Sequence, residues 1–110
     1  ERYLDEQRYA IAFVRDKYRF SQWGRVKISQ ALRMKHVVSE YIYTALEEID
    51  EEEYTAVLAS LLQKKRRSVK AANDYERNGK LIRFALSHGY DMGEILRCMK
   101  QMGCEDEYME

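Results

Sequence analysis

The chain has 110 residues, and its 19 basic and 19 acidic side chains cancel to a formal net charge of zero. This length allows one cooperative domain or a short stack of small modules, and the balanced charge excludes a globally basic nucleic-acid binder. Because the chain has no proline, only five glycines and 35% charged residues, the composition favours an all-α fold over turn-rich sandwiches and barrels.

Three helices are predicted in the first half, each with apolar residues at a spacing near 3.6. The first covers about 5–20 with Asp5 as its cap, the second begins near Gly24, and the third follows Val37. Their apolar positions are Tyr9, Phe13, Phe20, Ile28, Ala31, Leu32, Ile42, Ala45, Leu46 and Ile49.

Three more helices are predicted in the second half. The fourth covers about 51–70 and follows an acidic stretch, 47–53, that suits the positive end of a helix dipole. The polar stretch Asn73-Asp74 marks a break and a new cap, which starts the fifth helix. The sixth helix carries the apolar residues Ile95, Cys98, Met99 and Met102.

The start of the sixth helix carries the clearest local signal in the chain. Asp91 and Glu94 have the spacing of a capping box, with Tyr90 and Ile95 at the positions of a hydrophobic staple. Gly89 suits the left-handed residue that ends the preceding helix. We therefore expect the fifth helix to turn sharply into the sixth.

The two halves repeat each other. A shift of 53 residues superimposes Ile28 on Leu81 and Ile42 on Ile95. This predicts two copies of a three-helix repeat, at 1–49 and at 50–110 with an acidic tail, in an elongated, curved array of six helices. Because such arrays usually have at least three copies, and the chain begins at Glu1 rather than Met, we expect a preceding copy.

Charge is banded along the chain. Seven cations but only one acid lie between residues 15 and 35, a second basic run covers 64–70, and acids gather at 47–53 and 105–110. Repulsion within the first band is relieved either by a negatively charged partner or by ion pairs to other repeats, and the sequence leaves both open. The helix dipole explains some of the cations in the second run, but four successive cations cannot all lie on one face of a helix. The candidate partner contacts are Arg15, Lys17, Arg19, Arg25, Lys27, Arg33, Lys35, Lys64, Lys65, Arg66 and Arg67.

The segment 18–28 joins the first two helices and holds the only tryptophan. An aromatic and basic cluster of this kind stacks on bases or packs two helices together, and we favour packing for the rings. Gly24 allows the second helix to approach a neighbour closely. The predicted structural joint consists of Phe20, Trp23, Gly24, Gly89 and Tyr90.

The sequence gives little support for catalysis or metal binding. The chain has no Gly-rich phosphate loop and no HExxH motif, and Cys98 and Cys104 fit neither a CxxC pair nor half of a zinc site. His36 and His88 are far apart in sequence. We expect no enzymatic activity, no cofactor, no metal and reduced thiols. With no run of about 18 apolar residues and no signal peptide before the first helix, we expect a cytoplasmic protein.

Several motifs in order resemble the RecX regulatory proteins of bacteria. These are the stretch 4–10 (Leu-Asp-Glu-Gln-Arg-Tyr-Ala), Phe13-Val14-Arg15, Trp23-Gly24 and Lys27-Ile28, with Leu81, Phe84 and His88-Gly89-Tyr90 resembling the last repeat of that family. The resemblance implies the second and third of three tandem three-helix repeats. It also implies a cytoplasmic modulator of the RecA recombinase that lies in the groove of the RecA filament on single-stranded DNA. Such a protein restrains the ATPase, strand-exchange, DNA-repair and SOS activities of RecA.

Two positions depart from the family pattern. The chain has Lys35-His36-Val37-Val38 where the family has Lys-Gly-Ile followed by Ser or Asp, so we expect a left-handed His36 and a cap from Ser39. His88 replaces the usual Arg and removes a permanent charge.

Two alternatives to the filament regulator stay open. One is a direct DNA-binding domain, for single- or double-stranded DNA, whose second helix acts like a recognition helix. The other is a scaffold for decisive contacts made by a preceding repeat.

Overall fold

The computed structural model describes residues 2–103, with side chains from Asp5 onward. In that range the chain forms six helices and no strand: α1 Arg2–Arg19, α2 Arg25–Met34, α3 Ser39–Glu47, α4 Glu51–Ser68, α5 Asp74–Ser87 and α6 Met92–Gln101. The molecule measures 55 × 24 × 22 Å, and its radius of gyration of 15.7 Å exceeds the value of about 13 Å for a compact domain of this size. The predicted all-α, elongated pair of three-helix modules is confirmed.

Side-chain caps start the three helices of the second module. The carboxylate of Asp50 accepts from Glu52 N at 3.0 Å, and the Asn73 amide oxygen accepts from Glu76 N at 2.8 Å. At α6, Asp91 Oδ1 accepts from Glu94 N at 2.8 Å, and Asp91 N donates back to Glu94 Oε1 at 3.1 Å. The cap predicted in the stretch Asn73-Asp74 is thus Asn73, and the predicted capping box is confirmed. Each cap stabilises its helix by about 1 kcal/mol.

Left-handed residues end the second helix of each module. His36 has φ 67° and Gly89 has φ 99°, and both conformations were predicted. The histidine carries a penalty of about 1 kcal/mol that glycine does not.

The predicted caps of α1 and α3 are wrong. Helix α1 begins at Arg2, so Asp5 lies inside the first turn, where its negative charge suits the helix dipole. Helix α3 takes Val38 as its N-cap, without a side-chain hydrogen bond, and Ser39 is its first helical residue. Because the chain becomes extended directly after the left-handed His36, the cap falls one residue earlier than the polar side chain.

One contiguous core runs through both modules. Helix α1 packs on α2, α3 and α4, while α4 packs on α5 and α6. Several positions paired by the 53-residue shift are buried in both copies, as for Ile28 with Leu81 and Ile42 with Ile95. The core side chains include Ala10, Val14, Tyr18, Leu32, Ala45, Tyr54, Leu58, Leu62, Ala85, Tyr90 and Met99.

Candidate partner-binding surface

The two modules meet backbone to backbone. Gly24, in the loop between α1 and α2, donates its N–H to His88 O at 2.7 Å, and Val26 N donates to Gly89 O at 3.0 Å. A Cβ on Gly24 would lie 2.5 Å from Tyr90 N and closer still to the carbonyl of Gly89. Because no side chain fits in that space, glycine is required for the junction. Three residues of the predicted joint, Gly24, Gly89 and Tyr90, are thus brought together.

Phe20, also predicted to pack in this joint, lies outside it. Its ring is 79% exposed, whereas Tyr18 is 3% exposed. The buried stripe of α1 is Ala10, Val14 and Tyr18, at a spacing of four residues, and the predicted stripe of Tyr9, Phe13 and Phe20 runs along its edge. The prediction for Phe20 was therefore wrong, since the choice between two adjacent apolar stripes depends on where α2, α3 and α4 pack on α1.

Arg25 is held by acidic residues of the second module. Its guanidinium forms ion pairs with Glu51 and with Glu94, the latter with Nη1 and Oε2 3.0 Å apart. Its backbone N–H donates to the Tyr54 hydroxyl at 2.9 Å, and that hydroxyl donates to Glu94 Oε1 at 3.2 Å. Burial raises the pKa of Tyr54, so its phenol stays protonated. This contact candidate therefore has a structural role at the junction.

Arg19 is also paired across the junction. Its Nε lies 2.7 Å from Glu53 Oε2, and the Tyr18 hydroxyl donates to Glu53 Oε1 at 2.8 Å. The hydrogen bond from Arg19, with that from Tyr18, lowers the pKa of the Glu53 carboxyl below its ordinary value. Sequence reasoning explained this acid by the dipole of α4 and missed its role between modules. The signal that could have found it is the excess of cations in residues 15–35, which the acids at 47–53 complement.

Three lysines gather on aromatic rings beside the junction. Lys17 Nζ and Lys27 Nζ lie 4.9 and 4.6 Å from the centroid of the Trp23 ring, and Lys35 Nζ lies 5.9 Å from that of Phe13. The two rings contact edge to face, with centroids 6.4 Å apart. We call these five residues the Lys–Trp surface. Within residues 5–103, none of its lysines forms an ion pair with a carboxylate.

The Lys–Trp surface continues onto the second module. The backbone of Lys27 packs against Gly89, since a Cβ on that glycine would lie 2.7 Å from Lys27 N. The neighbouring His88 ring has its centroid 4.5 Å from that of Phe84, and Lys65 Nζ lies 4.8 Å from the centroid of Phe84. We call the Lys–Trp surface together with His88, Phe84 and Lys65 the basic strip. It links the two basic runs of the sequence along one line of contacts.

The remaining candidate cations lie outside the basic strip. Arg15, Arg33, Lys64 and Arg67 are exposed and Arg66 is half-buried. Arg33 lies beside a shallow groove between α2 and α3. In the described part of the chain these five side chains form no ion pair, and their contact with a partner stays a prediction.

Several expectations concern other features of the chain. Among the described residues, no helix has the length and apolar character needed to cross a membrane, and no three His, Cys, Asp or Glu residues lie together as metal ligands. Cys98 is buried in the core. Cys104 and the acidic residues 105–110 lie outside the described residues.

Comparison with protein families identifies both modules. A model of the second three-helix domain of RecX matches residues 5–46, and a model of the third three-helix domain of RecX matches residues 51–99. The chain belongs to the RecX family. The two matched domains are consecutive in that family and have the order that the two modules have here.

Curated relatives support the same family. Regulatory protein RecX of Clostridium perfringens (strain 13 / Type A) is 34% identical over 109 residues, which cover 97% of this chain and 50% of the relative. That of Clostridium botulinum (strain Eklund 17B / Type B) is 36% identical over 101 residues, 90% of this chain and 47% of the relative. The chain thus spans about half the length of these relatives. No solved structure matches it.

Proposed function

We propose that this chain is the RecA-binding part of a cytoplasmic RecX regulator, without enzymatic activity of its own. It binds in the groove of the RecA filament on single-stranded DNA and restrains the ATPase, strand-exchange, DNA-repair and SOS activities of RecA. Membership of the RecX family and the name "regulatory protein" of its relatives support a regulatory role. The observation that carries the site is the Lys–Trp surface, where three lysines without a carboxylate partner in the described chain lie together.

The geometry supports a rigid electrostatic contact. The ammonium groups of Lys17 and Lys27 are positioned on the half-buried Trp23 ring, so they lose less conformational freedom on binding than freely rotating lysines would. The basic strip crosses the junction, so it needs both modules in fixed relation. A basic surface of this kind attracts the chain to acidic surfaces of RecA protomers or to DNA phosphates. By bridging adjacent RecA protomers, it hinders their exchange in the filament.

A second candidate function is direct binding to DNA. The rings of Phe13 and Trp23 lie among the lysines, as in proteins that combine base stacking with phosphate contacts. However, ammonium groups already lie against the Trp23 ring and compete with a base for it. This arrangement favours charge contacts over stacking, whether the partner charge is a carboxylate or a phosphate.

Two measurements with the same 110-residue chain separate the candidates. The first is inhibition of the DNA-dependent ATPase of RecA, and the second is binding to bare single-stranded DNA, followed by the fluorescence of Trp23 at several salt concentrations. We expect inhibition at concentrations where bare DNA remains unoccupied. Tight, salt-dependent binding to bare DNA without any effect on the ATPase would instead establish the DNA-binding alternative.

A further inference from the structure

A basic cleft lies at the turn between α4 and α5, where the basic strip ends. Its volume is about 520 Å³, and its walls come from the end of α4, from the turn itself and from the middle of α5. Four cations and one aromatic ring line it: Lys65, Lys70, Lys80, Arg83 and Phe84. Because Lys65 and Phe84 also belong to the basic strip, the cleft and the strip form one continuous surface.

Lys80 and Glu76 fix the shape of this cleft. Lys80 Nζ donates to the carbonyl oxygen of Lys70 at 2.6 Å and lies 3.4 Å from Glu76 Oε2. Glu76 Oε1 accepts from Ala72 N at 3.0 Å. The hydrogen bonds from the Ala72 N–H and from Lys80 lower the pKa of the Glu76 carboxyl, so it stays charged. The charge of Lys80 is thus used within the chain, where it holds the turn on α5.

The other three cations of the cleft have no such use. In the described chain Lys65, Lys70 and Arg83 form no ion pair with a carboxylate. Glu76 is the nearest acid along α5, but its two oxygens are already bound by Ala72 and Lys80, and Arg83 affects its pKa only weakly. Positive charges that line one cleft repel one another unless an anion lies between them.

The first module shows what the same place in the fold binds. There the turn between α1 and α2 is flanked by Arg19 and Arg25, which pair with carboxylates of the second module, Glu53 for Arg19 and both Glu51 and Glu94 for Arg25. The turn between α4 and α5 is the counterpart of that turn in the second module, and it also collects cations. No module covers it in the described chain, so its cations face solvent and are free to bind an anionic partner.

We propose that this cleft binds the phosphate groups of a single nucleic-acid strand. Such a strand carries one negative charge per nucleotide, which suits a surface where cations follow one another from the Lys–Trp surface to Lys70. Cations along a groove with aromatic rings among them are typical of proteins that bind single strands. Because Lys65 already lies over the ring of Phe84, the contact is made to the backbone rather than to the bases. We therefore expect little preference for sequence.

The test is the binding of a labelled oligothymidylate to the 110-residue chain without RecA, measured by fluorescence anisotropy over a range of salt concentrations. We expect weak binding that falls as salt rises, because each phosphate contact to a single strand contributes about 0.7 to the slope of log affinity against log salt. Lys70→Gln combined with Arg83→Gln removes two contacts. The slope should fall by about 1.4, and the affinity at about 0.1 M salt should fall at least about tenfold.

Arg8→Gln combined with Lys100→Gln is the matched control, because it removes the same charge at exposed positions outside the strip and the cleft. It should leave the slope unchanged, and circular dichroism checks that both double variants keep their helicity. Equal losses in the two double variants would overturn the proposal, since net charge alone would then account for binding.

The nature of the anion is tested with two further probes. An oligothymidylate with an uncharged methylphosphonate backbone should bind far more weakly, and equal binding would overturn the proposal. Displacement of the strand by a poly-glutamate peptide of equal charge would also overturn it, because the cleft would then accept carboxylates as readily as phosphates. Since RecA is absent from these measurements, a failure here is distinguishable from a failure of the proposed regulatory function.

Discussion

Replacing Gly24 with alanine tests the junction between the modules. The backbone of Gly24, at φ −85° and ψ 172°, suits alanine as well as glycine, so the substitution adds no dihedral strain. The added Cβ would instead lie 2.5 Å from Tyr90 N and closer to the carbonyl carbon and oxygen of Gly89. These are backbone atoms that no change of rotamer can move, so the modules must separate locally.

The size of the effect follows from two contributions. Overpacking in a tight interface lowers the free energy of unfolding by about 1–3 kcal/mol. Separation also stretches the hydrogen bonds from Gly24 N to His88 O and from Val26 N to Gly89 O, each with a net value of about 1 kcal/mol. We therefore expect Gly24→Ala to lower the free energy of unfolding by about 3 kcal/mol, a large part of the stability of a small domain.

The assay is urea denaturation followed by circular dichroism, with Gly79→Ala as the matched control. Gly79 lies inside α5, and an added Cβ there makes an ordinary contact at 3.6 Å with the flexible Arg83 side chain. That alanine should raise the free energy of unfolding by up to about 1 kcal/mol through helix propensity. The reasoning is refuted if Gly24→Ala is as stable as the original chain, or if both alanines lower stability equally.

Two further predictions concern the polar contacts of the junction. Tyr54→Phe should lower the free energy of unfolding by about 1–2 kcal/mol in the same urea assay, because it removes the hydroxyl that lies between Arg25 N and Glu94. The control Tyr43→Phe, at a position 69% exposed, should leave the free energy of unfolding unchanged. Equal losses in the two variants would contradict the role of the Tyr54 hydroxyl at the junction. The lowered pKa of Glu53 means that the folded chain binds fewer protons than the unfolded chain, so this stabilisation is present above pH 4.5 and is lost as pH falls through the lowered pKa. The melting temperature should therefore fall less between pH 5 and 3 in Glu53→Gln than in the original chain, and an identical fall would contradict the pairing.

Local signals account for what the sequence predicted well. The caps at Asn73 and Asp91, and the left-handed His36 and Gly89, depend on interactions between residues a few positions apart. The 53-residue repeat then placed the buried positions of one module on those of the other. Where a signal is local and repeated, sequence alone was sufficient.

The contacts between modules could not be predicted in the same way. Arg25 pairs with Glu94 across 69 positions, and no periodicity in the sequence links those two residues. The same limit made the prediction for Phe20 wrong, because two stripes of α1 are apolar and the positions of α2, α3 and α4 select one for burial. The gathering of Lys17, Lys27 and Lys35 around two rings also depends on how α1 and α2 cross.

The most direct test of the regulatory surface is the RecA ATPase assay with Lys17→Glu and Lys27→Glu combined. Both lysines lie on Trp23 without an ion pair in the described chain, so their reversal should leave helicity nearly unchanged. The matched control reverses Arg8 and Lys100, which are exposed and lie outside the basic strip. We predict that the lysine variant inhibits RecA at least about tenfold more weakly, whereas the control inhibits like the original chain. Equal inhibition by both variants would contradict the assignment of the Lys–Trp surface as the partner contact.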